Sequence, residues 1–250
     1  FYALVALSGL TMAIKQAAQN PATALAALAA AAVGAWLFVR RQHRLADPLL
    51  TFDIFRSRLF TGGVLAAAGG MFVLAGAELM TTQKLQLVDA LTPLAAGATV
   101  AVMALSAIPA SVLGGAYLHK IGFLPLIAGG FFGAVVGAVA LATGWTSIGM
   151  VLLGLSAGSV MSVSSIAIIG SAPMHRSGMA AGVEEVSYEL GTLITVALTG
   201  SLLQAALDRG ADYTAAYNQV IGVLAAGAAC FAVATWWCFR DNPKSGGVDA

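Results

Sequence analysis

Seven long apolar runs constrain the fold of this chain more than any other feature of its sequence. They cover approximately residues 21–39, 59–80, 93–118, 123–141, 148–169, 180–206 and 215–239. A bilayer core about 30 Å thick takes about 20 apolar residues as a helix, whereas a barrel strand takes about 10 residues of alternating polarity. The runs have the first pattern. We therefore predict an all-α polytopic membrane protein.

The composition argues against the other main classes of protein. Charged side chains make up 9% of the 250 residues and hydrophobic ones 59%, whereas soluble domains contain about 25% charged residues. The net charge of +1 excludes the charge excess of a disordered chain and makes nucleic acid an unexpected partner. Cys230 and Cys238 lie about 12 Å apart on one predicted helix, too far for a disulfide.

The N-terminal segment from Phe1 to Ile14 is also apolar. It lacks the basic start and the small-residue cleavage site of a signal peptide. We interpret it as the remainder of a truncated spanning helix, and we expect the chain to be a piece of a longer protein.

The basic residues are divided unequally between alternate loops. Nine fall on one side of the predicted membrane, and three, Lys15, Lys84 and Arg209, fall on the other. Because cytoplasmic loops carry the excess of Lys and Arg, the first side is predicted to be the cytoplasm. We therefore expect a multi-pass protein of the plasma (inner) membrane with its C-terminus inside.

The longest connection, residues 40–58, is the best internal boundary. Its stretch PLLTFDIFRSRLF mixes Leu and Phe with Asp53, Arg56 and Arg58. This pattern is compatible with a short helix at the inner membrane surface and with a solvated linker. On either interpretation it separates residues 1–58, which hold a truncated span, one further span and the linker, from six helices in residues 59–250.

Small residues at four-residue spacing indicate where membrane helices approach each other closely. Two sets have this spacing: Gly129, Gly133 and Gly137 in the fourth run, and Gly154, Gly158 and Ser162 in the fifth. We expect these two helices to pack through those faces.

The fifth run also carries hydroxyls at three-residue spacing, at Ser156, Ser159, Ser162 and Ser165. Such a stripe is suited to lining a water-filled cavity. The same hydroxyls can instead bond to carbonyls of their own helix or across a helix contact. Both interpretations stay open at this point.

Three acidic residues, Glu184, Glu185 and Glu189, lie in the sixth run, which must span the membrane. If that helix enters near Ala180, Glu189 lies about 14 Å inside a core of half-thickness about 15 Å. An ionised acid there costs at least about 2.5 kcal/mol. Three within six residues would be selected against unless they faced water, a partner or a substrate.

Helical spacing gives the three acids different neighbours. Glu185 and Glu189 share a helix face, whereas Glu184 shares its face with Tyr188. The run contains no Lys or Arg, so a proton or an organic cation is left to neutralise the acids, and this is the chemistry of exchange. We therefore predict proton and substrate binding at the three acids, with Tyr188 as a secondary member.

Two alternatives concern the acidic residues. The sixth helix could begin later than Ala180, which would leave Glu184 and Glu185 at the interface as partners of the helix dipole. Glu78, a further secondary candidate in the second run, could simply reach the outer interface close to Lys84.

Three stretches resemble the C-terminal half of the major facilitator superfamily, in particular its 14-span drug:proton antiporters. They are DPLLTFDIFRSRLF, TTQKLQLVDALTPLAAG and GMAAGVEEVSYELGTLITVALTGSLL. The resemblance implies two extra central spans followed by a six-helix domain of two inverted three-helix repeats. It also implies that Glu184, Glu185 and Glu189 handle cations and protons, and that the run with Ser156, Ser159 and Ser162 lies at the transport cavity.

The inner-loop motif of that family, a glycine followed by Asp-Arg and a second glycine, is degenerate here. Gly115, His119, Lys120 and Gly122 occupy its positions, with His119 in place of the acid and Lys120 in place of the arginine. This departure argues against a charge-relay gate at the loop.

The resemblance implies proton-coupled antiport of hydrophobic organic cations and drugs, driven by the proton gradient without a cofactor or a metal. The expected partners are cationic substrates, protons, the lipid bilayer and the missing N-terminal half of the same transporter. A facilitator for another molecule is one alternative, although an anionic substrate would require core Lys or Arg. A non-transporting subunit or scaffold is another. An enzyme is not expected, because no metal spacing and no nucleophile with a nearby base occur.

Overall fold

The computed structural model describes residues 2–16, 20–42 and 52–240, and these form a succession of helices. The long ones are α1 (Tyr2–Gln16), α2 (Pro21–Gln42), α3 (Arg58–Leu87), α4 (Pro93–Ile121), α5 (Phe123–Ala142), α6 (Thr146–Gly170), α7 (Ser177–Asp208) and α8 (Tyr213–Phe239). Helices α2 to α8 are long and apolar enough to cross a bilayer. The prediction of an all-α polytopic membrane protein with seven full spans is therefore confirmed.

The connection before α3 is a helix in its described part. Residues 52–56 form a 3₁₀ helix, whereas residues 43–51 lie outside the described ranges. Ser57 caps α3 by accepting a hydrogen bond from the Phe60 amide at 3.3 Å. The Thr61 hydroxyl donates to the Phe55 carbonyl at 2.8 Å, so the end of this connection is fastened to the first turn of α3.

The chain divides into two compact units, Phe1–Ile54 and Phe55–Ala250. In the first unit α1 and α2 pack closely, because Gly9 lies against the backbone of Ala27 and Ala31 in α2. The assignment of residues 1–58 to extra central spans, and of residues 59–250 to a transport domain, stays a prediction.

The helix contacts of the second unit repeat. Helix α4 packs mainly against α6, and α7 mainly against α3; α5 packs against α6 as α8 packs against α3. Exchanging α3, α4 and α5 with α6, α7 and α8 leaves these four contacts unchanged. This pattern is the one expected of two three-helix repeats.

The small residues of α6 pack against a different helix from the one predicted. Gly133 of α5 does lie against Ser156 of α6. Gly154 and Gly158, however, lie against α4, where an added Cβ would overlap backbone carbonyl oxygens. The prediction was wrong for α6 because this helix has neighbours on two sides, and four-residue spacing does not specify which neighbour meets the small face.

The core of the second unit lies around α3 and α6, its two most buried spans. The ring of Phe231 in α8 packs against Phe72 of α3, with centroids 5.8 Å apart, and against Phe131 of α5 at 6.1 Å. At the far end of α3 the hydroxyls of Thr81 and Tyr217 lie 3.1 Å apart. Helix α7 packs along α3 beside this core.

Candidate functional site

The predicted acids lie well inside α7. This helix has 32 residues, so it is about 48 Å long and Glu189 lies about 5 Å from its mid-point. It begins at Ser177 rather than after Ala180. Glu184 and Glu185 therefore lie about two turns beyond the helix start, outside the first turn in which the helix dipole acts. Their position relative to the membrane interface stays a prediction.

One face of α7 is buried against the rest of the second unit. Its buried residues recur every three or four positions, at Ala180, Glu184, Ser187, Gly191, Thr195, Thr199, Leu203 and Ala206. Gly191 brings the helix close to α3, since a Cβ there would overlap the carbonyl oxygen of Ala68. Glu184 belongs to this packed face, and only 9% of its surface is exposed.

Glu185 and Glu189 are exposed, in contrast to Glu184. Their four-residue spacing places them on one side of α7. The helix contains no Lys or Arg, so it supplies no cation to neutralise either carboxylate. The three acids therefore separate into one buried residue and one exposed pair.

Tyr188 contacts the buried acid directly. Its hydroxyl donates a hydrogen bond to Glu184 Oε1 at 2.7 Å, as the shared helix face predicts. Ser164 of α6, which is fully buried, lies close enough to interact with the Tyr188 side chain. Sequence reasoning missed Ser164, because it is outside the three-residue stripe and only the packing of α6 brings it to α7.

The serine stripe of α6 lies at helix contacts. Ser156 donates to the carbonyl four residues earlier at 2.7 Å and lies against Gly133 of α5. Ser162 lies against Gly115 of α4, and Ser159 against the glycine before it. Ser156 and Ser159 also line a groove of about 250 Å³ between α5 and α6. Their role at a transport cavity stays a prediction.

Glu78 lies apart from the acids of α7. It is exposed on α3, ten residues beyond Ala68, the residue that Gly191 faces, and this separation corresponds to about 15 Å along the helix. The ammonium of Lys84 lies 5.2 Å from the ring of Tyr217. Because Glu78 is separated from α7's acids along α3, the structure brings together Glu184, Glu185, Tyr188 and Glu189 but not Glu78.

The degenerate motif lies mostly in a helix rather than in a loop. Gly115, His119 and Lys120 belong to α4, and Gly122 alone separates α4 from α5. Gly122 has φ +88° and ends α4, as glycine does where a helix stops in a conformation unfavourable for other residues. Lys120 lies 5.6 Å from the ring of Tyr117. The prediction that this motif lies in a loop was wrong, because no residue before Gly122 interrupts α4.

The described residues do not meet the requirements of a metal-binding site. Within residues 2–16, 20–42 and 52–240, no group of three or more His, Cys, Asp or Glu side chains is arranged to bind one. The acid cluster of α7 offers three carboxylates, a chemical group that can bind protons or organic cations.

The fold and the site define a class of protein. It is a multi-pass helical membrane protein with a repeated three-helix contact pattern and acidic residues inside one span. No family model matches the chain, but curated relatives do. It is 33% identical to the multidrug efflux pump LfrA of Mycolicibacterium smegmatis, over 93% of this chain and 50% of that protein. It is 30% identical to the methyl viologen resistance protein SmvA of Salmonella typhimurium, over 67% of this chain and 35% of the relative.

A third relative, the drug efflux pump JefA of Mycobacterium tuberculosis, is 30% identical over 79% of this chain and 40% of its own length. The chain belongs to the drug:proton antiporter group of the major facilitator superfamily. It spans about half the length of LfrA and a smaller share of the other two relatives.

Proposed function

We propose that this protein takes part in exporting hydrophobic organic cations across the plasma membrane in exchange for protons. The observation that carries the proposal is the acid cluster inside α7, a helix with no basic residue. A carboxylate that binds either a proton or a cation releases one when it binds the other. If the site faces the two sides of the membrane alternately, this competition produces antiport.

We assign exchange chiefly to the exposed pair, Glu185 and Glu189. Both carboxylates are accessible, and their shared face allows one bound cation to interact with both. Two like charges at this spacing also repel each other, and a bound cation relieves that repulsion. Glu184 and Tyr188 complete the cluster, whereas Glu78 stays a secondary candidate.

The relatives support this substrate class. Two of them carry names that describe drug or multidrug efflux pumps, and a third is named for resistance to methyl viologen, which is an organic dication. An anionic substrate is less compatible with the chain, because Arg58, Lys84 and Lys120 lie toward helix ends.

The proposed transporter requires a second helical domain. Alternating access in this superfamily depends on two domains that rock about a site between them. The second unit of this chain supplies one set of two three-helix repeats. We infer that the partner domain corresponds to the half of the relatives that the chain does not match.

We also propose that the C-terminus faces the cytoplasm. The guanidinium of Arg58, at the start of α3, lies 5.1 Å from the ring of Trp237 near the end of α8. Arg240 lies 5.7 Å from the ring of Trp236. Basic residues beside interfacial tryptophans at one end of the bundle agree with the cytoplasmic side that the basic-residue count predicts.

The proposal is tested by Glu185→Gln and Glu189→Gln in the full-length protein, singly and together. We expect each to abolish resistance to cationic biocides and efflux of a cationic dye, because the amide cannot exchange a proton for a cation. Asp208→Asn, at the end of the same helix, is the matched control and should keep activity. Unchanged export by the double variant would refute the proposal.

Purification at fixed stoichiometry with a basic single-span protein, without substrate-dependent proton flux in liposomes, would favour a non-transporting subunit instead.

A further inference from the structure

We propose that Tyr188 is a positioning residue, which holds the Glu184 carboxylate on the buried face of α7 and away from Glu185 and Glu189. This inference rests on the proposed function and deepens it, because it restricts exchange to two of the three acids. Glu184 is then a fixed acid at the contact of α7 with its neighbours.

The geometry of α7 carries the inference. Glu184 is on the packed stripe of the helix with 9% of its surface exposed, and the next residue, Glu185, is exposed. Tyr188 is one turn further along and donates its hydroxyl proton to Glu184 Oε1 at 2.7 Å. A hydrogen bond from a neighbouring turn keeps a flexible Glu side chain in one orientation.

The neighbouring serine hydroxyls do not replace this donor. Ser187 donates its proton to the carbonyl of Val183 at 2.6 Å. Ser164, across the contact with α6, donates its proton to the carbonyl of Met161 at 2.9 Å. Each hydroxyl has one proton to donate, so both are already committed to backbone carbonyls.

Few titratable groups lie on the elements that pack against α7. Helix α6 carries none. The others are Arg58, Glu78 and Lys84 on α3, Tyr213, Tyr217, Cys230 and Cys238 on α8, and His175 and Arg176 on the short helix before α7. Arg58 and Lys84 lie near the ends of α3, whereas Glu78 lies nine residues before its last residue. The charged side chains that act on the Tyr188 hydroxyl are Glu184 and Glu185 on its own helix.

Replacing Tyr188 with Phe should release Glu184. The phenyl ring preserves the packing of the tyrosine, but the carboxylate loses its donor, and a buried polar group without a partner is costly. Rotation of the Glu184 side chain toward the exposed side of α7 relieves this cost. A third carboxylate would then join the exchanging pair.

Labelling by a membrane-soluble carbodiimide, mapped by mass spectrometry on the full-length protein, tests the position of Glu184 without requiring transport. In the wild type we expect modification at Glu185 and Glu189 and little at Glu184. In Tyr188→Phe we expect labelling of Glu184 to rise about tenfold, the effect of losing a hydrogen bond to a charged group. Unchanged labelling of Glu185 and Glu189 would report an intact helix.

Tyr217→Phe is the matched control. Tyr217 is buried, and its hydroxyl pairs with Thr81 rather than with an acid, so its loss should leave the labelling of Glu184 unchanged. An equal rise in both variants, no rise in Tyr188→Phe, or strong labelling of Glu184 in the wild type would each overturn the inference.

The pH profile of dye transport is the second readout. We expect the pH profile of Tyr188→Phe to differ from that of the wild type. The double variant Glu184→Gln/Tyr188→Phe should have the same profile as Glu184→Gln alone, since Tyr188 acts through Glu184. A Tyr188 effect that persists in the Glu184→Gln background would contradict a positioning role. If Glu185→Gln and Glu189→Gln transport normally, the proposed function fails, while the labelling result still decides the role of Tyr188.

Discussion

At the scale of single residues, neighbouring acids in α7 have different surroundings. Glu184 and Glu185 are adjacent in sequence, yet one is buried and bonded to Tyr188 while the other is exposed. The hydroxyls of α6 show a similar contrast between pattern and surroundings: Ser156 has the spacing of a polar stripe, but it donates to its own helix. The chemistry of each side chain therefore depends on what its helix face meets.

Replacement of Ser156 with Ala separates the two interpretations of the serine stripe. We expect transport to stay within about twofold of the wild type, because the hydroxyl bonds to a carbonyl of its own helix. Dye efflux at matched protein abundance measures this effect. Ser111→Ala on α4, where the hydroxyl bonds to the carbonyl of Ile108, is the control. A loss of efflux confined to Ser156→Ala would indicate a hydroxyl that contacts substrate.

At the scale of helices, close backbone approach determines which elements meet. Lipid provides no hydrophobic reason for helices to associate, so small residues that permit close packing contribute much of the contact. Gly191 of α7 lies against the carbonyl of Ala68 in α3, and Gly158 of α6 against the carbonyl of Ala107 in α4. These two contacts join the pairs of helices that correspond to each other in the repeated pattern.

Gly191→Ala should destabilise the second unit, because the new methyl group would overlap the Ala68 carbonyl. Overpacking of this kind costs about 1–3 kcal/mol. Gly200→Ala on the same helix is the control: no atom lies within 4 Å of the added Cβ, and the change should be neutral or stabilise by up to about 1 kcal/mol. Thermal unfolding of the purified protein in detergent measures both. Equal midpoints for the two variants would disprove the close contact.

At the scale of the whole molecule, the small proportion of charged residues indicates a membrane environment, and the distribution of Lys and Arg predicts the orientation of the spans. Charged residues are 9% of the chain, and seven described helices are suited to crossing a bilayer. The contacts of α3 to α8 repeat after three helices, and this agrees with the predicted six-helix transport domain. Orientation depends on the excess of Lys and Arg on one side of these spans.

Single cysteines test that orientation in a variant lacking Cys230 and Cys238, both of which are free thiols. Thr143→Cys, between α5 and α6, should react with a membrane-impermeant maleimide in intact cells, because the prediction places it outside. Ser171→Cys, between α6 and α7, should react only after the cells are permeabilised. The reverse pattern would show that the C-terminus lies outside.

The sequence by itself determined the all-α membrane class, the approximate limits of the seven spans, the common face of Glu185 and Glu189 and the pairing of Glu184 with Tyr188. These properties depend on hydropathy and helical periodicity, which are local. The tertiary structure decided that Glu184 is buried, that the small face of α6 meets α4, and that Ser164 lies beside Tyr188. Apolar helices can turn any face toward lipid or protein at similar cost, so only the packing of distant segments selects the face that is buried.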